Sequence, residues 1–465
     1  MLVGTGSDVG KSVLATALCR IFLQDGYRPA PFKAQNMSLN SYATPDGREI
    51  GRAQAVQAEA CGLPPHVDMN PLLLKPNSDH TSQIVLLGKP TGTCTAYSYF
   101  RSEGREQLRQ VVQDAFDRLQ AHYNPVVMEG AGSVSELNLQ QSDIVNMPMA
   151  RHAKADVLLV ADIERGGTFA SCYGSIMLQQ PEDRARIKGI IINKFRGDQR
   201  LFEDGVRIME KICQVPVLGV VPVFEDMEID EEDSMQLGRK HHSPQPGKVN
   251  VAVVRLPHIS NFTDFDPLER DERIHLFYTQ NPTHVEQADI IILPGTKSTL
   301  SDLDNLRKLH IDETLLQAHR NGKTIVGICG GYQMLGKTID DPLAIEGSVQ
   351  SREGLGLLSI NTVMQPEKTT RQVTFSLQGI TCRGYEIHQG VSTESRQPVL
   401  IESNCIGTYI HGLFDNPIAI DLLLKNHSRP HAPAGPTIDP IDQWAAHVRR
   451  HINLPLLYNI LTAPC

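Results

Sequence analysis

Short, unbroken apolar runs alternate along this chain with longer segments of helical spacing. The first runs are Val126–Met128 (VVM), 156–161 (DVLLVA), 189–193 (GIIIN) and 217–221, each closed by polar or Gly/Pro residues. Runs of this length without polar alternation suit strands covered on both faces, as in parallel sheets assembled from βα units. The segment 12–24 has the spacing of an amphipathic helix and stops near Gly26. Apolar runs resume at 249–255 (VNVAVVR), 288–293 (ADIIIL) and 324–328 (TIVGI), and a last helix is expected over 441–451. The pattern predicts an α/β protein with two successive α/β units and no internal repeat.

The interruption between the units has its own composition. From Glu225 to Gly247 an acidic tract, EDMEIDEED, is followed by GRKHHSPQPG, and no periodicity survives. The expected division is a first domain at 1–235, a linker at 236–248 and a second domain at 249–465. A length of 465 residues agrees with two or three domains.

Net charge changes the picture little. A formal value of −9 disfavours nucleic acid or an anionic membrane as main partner, but a few local Lys or Arg residues suffice for an anionic substrate. The nine cysteines are scattered without a C-x-x-C pair, which reads as reduced thiols. No basic stretch leads into an apolar signal region, and no apolar run approaches the ~20 residues that span a bilayer. The expected compartment is the cytoplasm; the oligomeric state stays open.

Two motifs carry chemistry. The first is Gly4-Thr5-Gly6-Ser7-Asp8-Val9-Gly10-Lys11-Ser12. A loop of small residues ending in Gly-Lys-Ser before a helix is a phosphate cradle. Backbone N–H groups of Gly6, Ser7, Asp8 and Gly10 and the helix N-terminus face the anion, Lys11 reaches the outer phosphates, and Ser12 holds Mg²⁺. Thr5 occupies the place where the usual pattern has its first Gly, and Gly4 comes one position earlier. Only three residues precede Gly4, so the leading strand is very short and an upstream start is one reading. Glu129, in EGAG after the VVM strand, is placed to bind Mg²⁺; Asp162 at the end of the next strand is a weaker candidate. Asn193-Lys194 is read either as a contact to the nucleotide base or as a turn with a capping Asn.

The second motif is Gly327-Ile328-Cys329-Gly330-Gly331-Tyr332-Gln333. A nucleophile set among glycines between a strand and a helix makes a sharp elbow that exposes its side chain. The helix N-terminus favours the thiolate. The N–H of Gly330 is a candidate oxyanion donor, and the loop Pro294-Gly295-Thr296-Lys297 is a candidate for the second, through Gly295. Downstream, His411 in GTYIHGLF offers a general base, with His388 in GYEIHQG as its rival.

These motifs resemble known families. The phosphate loop resembles the dethiobiotin synthetase-like branch of P-loop enzymes, which implies that Lys33, in PFKAQN, contacts phosphate and the carboxylate being activated. The thiol elbow resembles class I glutamine amidotransferase domains, which implies attack of Cys329 on the glutamine amide with His411 relaying the proton. Such triads often carry Glu two residues after the His, and here Leu413 stands there, so a dyad or a third member from elsewhere is implied. Nearly end to end the chain resembles the cobyric acid synthase family, through FKAQNMSLNS (32–41), EIGRAQA (49–55), MNPLLLKP (69–76), DIERGGTFA (162–170), GYEIH (384–388) and GTYIHGLF (407–414). That resemblance implies an ATP-dependent, glutamine-fed amidoligase that uses Mg²⁺ and amidates the b, d, e and g carboxylates of a corrinoid, adenosylcobyrinic acid a,c-diamide. Two alternatives stay open at this point. One is a cobyrinic acid a,c-diamide synthase. The other is a P-loop partitioning or signalling ATPase with an inactive second domain.

Overall fold

The structure is a computed structural model that describes residues 1–76, 81–95, 99, 105–224, 241–347, 349–393, 397–427 and 439–462. The acidic tract and the first part of the expected linker, 225–240, lie outside the described residues.

Four parallel strands run in the order Leu2–Gly4, Val157–Asp162, Ile187–Phe195, Val217–Pro222 across the first sheet. A bridge from Leu2 to Glu129 joins Val126–Met128 to the other side of Leu2–Gly4, and Ala30–Phe32 pairs in parallel beyond it. Alternate residues feed two separate cores. Leu2, Leu158, Val160 and Ile191 pack into one layer; Val3, Leu159, Ile190 and Ile192 pack into the other. Cover on both faces is why the middle of each of these strands is free of charged residues. Their carboxyl ends share one edge, where ligands bind in open parallel sheets. Glu129, Asp162 and Asn193 stand at that edge.

In the second unit the order is Ile274–Thr279, Val249–Val254, Ile290–Leu293, Thr324–Ile328, Cys405–Thr408, all parallel, with Val399–Glu402 antiparallel at the edge. Residues 241–243 of the expected linker already lie along this unit. Tyr278 N–H donates to His241 O, and His275 Nε2 bonds Ser243 O at 2.9 Å. A long hairpin, Asn361–Leu377 and Ile380–Ser392, projects from this unit and meets the first. Its Lys368, Gln372 and Tyr385 contact Glu49, Ala43 and Tyr42.

The last helices depart from the expected division. Helix Pro440–His451 lies where the spacing placed it, yet its buried Ile441, Trp444, Ala445 and Val448 share a core with Leu14, Leu18 and Ile21 of the first unit. Trp444 Nε1–H donates to Val13 O at 2.7 Å, and Asn453 N–H donates to Leu218 O at 2.7 Å. An apolar helix face takes the nearest uncovered apolar layer, wherever that layer lies in sequence. No helix among the described residues is long and apolar enough to cross a membrane.

Candidate active sites

At the first site the chain leaves Leu2–Gly4, forms the loop, and enters helix Lys11–Gln24. Gly10 adopts φ 94°, and a Cβ there would stand 2.1 Å from Asn193 Nδ2. Only glycine lets the Asn193 amide close on the loop, where it donates to Val9 O at 2.9 Å. Asn193 is thereby a brace of the loop. Lys11 Nζ folds back over the loop and donates to Gly6 O at 3.0 Å and Gly132 O at 2.9 Å. Ser7, Asp8, Gly10, Lys11, Ser12 and Asn193 all line one cleft of about 630 Å³, within the ~300–1,000 Å³ of small-molecule sites. Gly6 stands behind them and enters through its carbonyl.

Glu129 organises the floor of this cleft. Its Oε1 accepts from Ser12 Oγ at 2.7 Å and from Lys33 Nζ at 2.8 Å, while Oε2 accepts from Gln57 Nε2 at 2.7 Å. Glu129 and Lys33 are both buried. A hydroxyl beside a carboxylate is an all-oxygen donor pair that fits Mg²⁺ arriving with phosphates and water. Asp162 stands farther along the edge, 3.2 Å from Lys194 Nζ. Of the polar residues in FKAQNMSLNS, Lys33, Gln35 and Asn36 line the cleft. Ser38 Oγ accepts from Asn40 N–H, and Asn40 Oδ1 accepts from Phe262 N–H at 3.2 Å, so Asn40 faces the second unit instead.

At the second site Cys329 sits between strand Thr324–Ile328 and helix Gly330–Leu335 with φ 52° and ψ −109°. Such a backbone costs a non-glycine residue roughly 1–3 kcal/mol and is held by its surroundings. The crowding is visible at Gly331, where a Cβ would fall 2.0 Å from Leu293 O. His411, on the short strand Ile410–His411, is buried and bonds Asp264 Oδ2 through Nδ1 at 2.7 Å. Asp264 Oδ1 also accepts from Gly412 N–H at 3.0 Å. With Nδ1 held by a carboxylate, Nε2 is left for the thiol. Burial alone would lower the His411 pKa. The Asp264 charge and hydrogen bond, with Cys329 adding to them, overcome burial and push it up to about 10.

Asp264 is the third member that the motifs did not reveal. It lies in the turn Phe262–Phe265, among three acidic residues of TDFDPLE, and no spacing distinguishes it from Asp266 or Glu269. His388 lines the same pocket, but its ring stacks on Tyr409 at 3.8 Å and its Nδ1 bonds Gly390 O at 2.7 Å, which makes it a wall of the pocket. Gly330 lines the pocket, and Gly295 lies against the imidazole, where a Cβ would be 3.4 Å from His411 Cε1. Thr296 Oγ1–H donates to Asp302, which is fully buried and also bonds His258 Nδ1 at 2.7 Å, so the Pro294–Lys297 loop is pinned.

The two sites are joined by one stretch of chain. Lys33 stands at the phosphate end of FKAQNMSLNS. At the other end Ser41 N–H donates to Asn261 Oδ1 at 2.9 Å, three residues before Asp264.

A phosphate-loop unit and a Cys–His–Asp unit in one chain define a nucleotide-binding protein with an attached glutamine amidotransferase domain. Comparison with known proteins agrees. Residues 1–237 match the CobQ/CobB/MinD/ParA nucleotide binding domain, and residues 250–418 match the CobB/CobQ-like glutamine amidotransferase domain. The cobyric acid synthases of Bacteroides fragilis and Phocaeicola vulgatus are 59% and 58% identical, each over 99% of this chain and 98% of their own. That of Parabacteroides distasonis is 50% identical over the same shares. Among solved structures, PurLQS from Thermotoga maritima is similar over 38% of this chain and 98% of its own, at 18% identity and a TM-score of 0.30. The chain belongs to the cobyric acid synthase family, and it is a glutamine-dependent amidoligase of cobalamin biosynthesis.

Proposed function

We propose that this enzyme converts adenosylcobyrinic acid a,c-diamide into adenosylcobyric acid by amidating the b, d, e and g carboxylates, with ATP and glutamine consumed at each step. The observation that carries this reading is the pairing, in one chain, of the Lys11–Ser12–Glu129–Lys33 floor with the Cys329–His411–Asp264 triad.

Carboxylates are poor electrophiles. At the first site a substrate carboxylate attacks the γ-phosphorus of ATP, ADP leaves, and an acyl phosphate forms. Lys11 and Lys33 offset the charge on the transferring group, and the N–H groups of the loop cradle the remaining phosphates. Mg²⁺ held by Ser12 and Glu129 would add positive charge at the phosphates. At the second site the Cys329 sulfur attacks the glutamine side-chain amide carbon. The N–H groups of Gly295 and Gly330 receive the oxyanion, and His411 protonates the departing ammonia. Water then cleaves the thioester to glutamate. Ammonia displaces phosphate from the acyl phosphate and leaves the amide. A neutral ammonia molecule has to travel between the sites shielded from solvent, and the buried Lys33, Gln35, Asn36, Ser38, Asn40 and Ser41 of the stretch that joins them support a route along it. All described cysteines are free thiols, which supports a cytoplasmic location.

One phosphate loop and one Glu129 provide one phosphoryl site, so successive carboxylates are presented to it in turn. Mass spectrometry of timed reactions tests this. The expected result is stepwise gain of amides on the a,c-diamide with little reaction of cobyrinic acid itself. Conversion of cobyrinic acid to a product that stops after two amidations would assign the chain to diamide synthesis instead. Cys329→Ser should abolish glutamine-driven amidation while ammonium salt still supports it; equal loss with both nitrogen sources would sink the two-site mechanism.

A further inference from the structure

The pocket beside Cys329 has a wall of ammonium groups that the thiol chemistry does not use. Lys297 and Lys368 come from the second unit, but Lys75 comes from the first. Lys75 Nζ and Lys368 Nζ hold the two oxygens of one carboxylate, Glu49, at 2.7 and 2.6 Å, and Lys75 also donates to Ser41 Oγ at 2.8 Å. All three of these side chains are buried. Lys297 Nζ lies 3.5 Å from Gln389 Oε1. The other acid in the pocket, Glu346, accepts from the N–H of Thr299 at 2.6 Å, and burial pushes its carboxyl up to about 7. Three lysines therefore face two carboxylates, and burial opposes charge on both sides: it lowers Lys297 and pulls Lys368 down to about 7, as it raises Glu346. Burying such a surplus is costly unless an anion completes it. The side-chain amide of glutamine is neutral, so the reacting group does not require it. The other end of the same molecule carries an α-carboxylate.

We propose that Lys75, Lys297 and Lys368 receive the α-carboxylate of glutamine, so that the nucleotide-binding unit contributes a substrate-binding residue to the glutaminase pocket. The inference rests on the glutamine-hydrolysing reading above and adds the residues that select the substrate. It makes the pocket composite: hydrolysis is efficient only while the units are docked, because the Glu49 clasp positions Lys75 beside Lys368.

The test uses the full chain and two substrates, L-glutamine and 4-aminobutanamide, which keeps the amide and the amino group but lacks the α-carboxylate. The wild-type enzyme should prefer glutamine strongly. Lys75→Met and Lys297→Met should each lower the glutamine-to-analogue ratio of kcat/KM by about tenfold to a hundredfold, the size of one lost charge-assisted hydrogen bond, through KM for glutamine. Lys75→Arg should restore most of the ratio. Because Lys75 also bridges the units, Lys297→Met supplies a variant outside the Glu49 clasp. A wild-type enzyme indifferent to the missing carboxylate, or variants that lose both substrates equally, would overturn the proposal. Failure of the wild type to hydrolyse glutamine at all would overturn the amidotransferase reading itself.

Discussion

His411 shows how one buried contact sets the chemistry of a residue. Burial alone would hold its imidazole below the ordinary value of 6.5; the Asp264 charge and hydrogen bond, with Cys329 adding to them, raise it to about 10, so it carries a proton at neutral pH. That proton is what a leaving ammonia needs. His411→Ala should cut glutamine hydrolysis by on the order of 10²–10⁴-fold, whereas His388→Ala should cost far less, because His388 stacks and lines the pocket without a carboxylate partner on Nδ1. A glutaminase assay showing the reverse ranking would move the base to His388. The same contact is visible in stability. The folded state binds the His411 proton more tightly than the unfolded chain, so the stabilisation is complete below pH 6.5 and is lost as pH rises through about 10. Asp264→Asn should flatten the decline across that window, which urea midpoints measured along it would reveal. Cys329 and His411 were readable in sequence because each sits in a short motif with its own geometry. Asp264 was not, because its role arises from the fold bringing the turn Phe262–Phe265 against Gly412.

At the scale of elements, both active loops are strand-to-helix turns in which glycine makes room for a neighbour. Gly10→Ala would drive a Cβ into Asn193 at a φ of 94°, and should destabilise the first unit by roughly 1–3 kcal/mol while weakening nucleotide binding. Calorimetric titration with a nucleotide would show it. Lys11→Ala should abolish amidation with either nitrogen source, because activation precedes ammonia use; ammonia-driven activity in that variant would remove the loop from the chemistry. The central strands of both sheets were legible because cover on two faces leaves no polar residue to blur the run. The hairpin Asn361–Ser392 was not. Its outer positions are polar, and its inward contacts, Tyr385 on Tyr42 and Lys368 on Glu49, belong to a unit hundreds of residues earlier in the chain.

For the whole molecule, composition gave no sign that the chain returns to the first unit after the second. The helices Pro440–His451 and Leu454–Thr462 close the face of the first unit that carries Leu14 and Leu18. Trp444→Ala removes both the packing and the bond to Val13 O, and should cost about 3–5 kcal/mol. Ending the chain after His427 should lower the melting temperature of the nucleotide-binding unit more than that of the second unit, as a two-transition calorimetric scan would record. The closing helices also set an order of events on the ribosome. The nucleotide-binding sheet is made before the second unit, yet the layer that carries Leu14, Leu18 and Ile21 is not closed until residues 441–457 emerge. At ~5–20 residues per second that interval is on the order of ten to forty seconds, during which the amidotransferase unit can finish folding ahead of its older neighbour. The nascent protein therefore carries an open apolar seam while the second unit is being made. The same delay keeps the cleft that Trp444 borders incomplete until the second unit has been made.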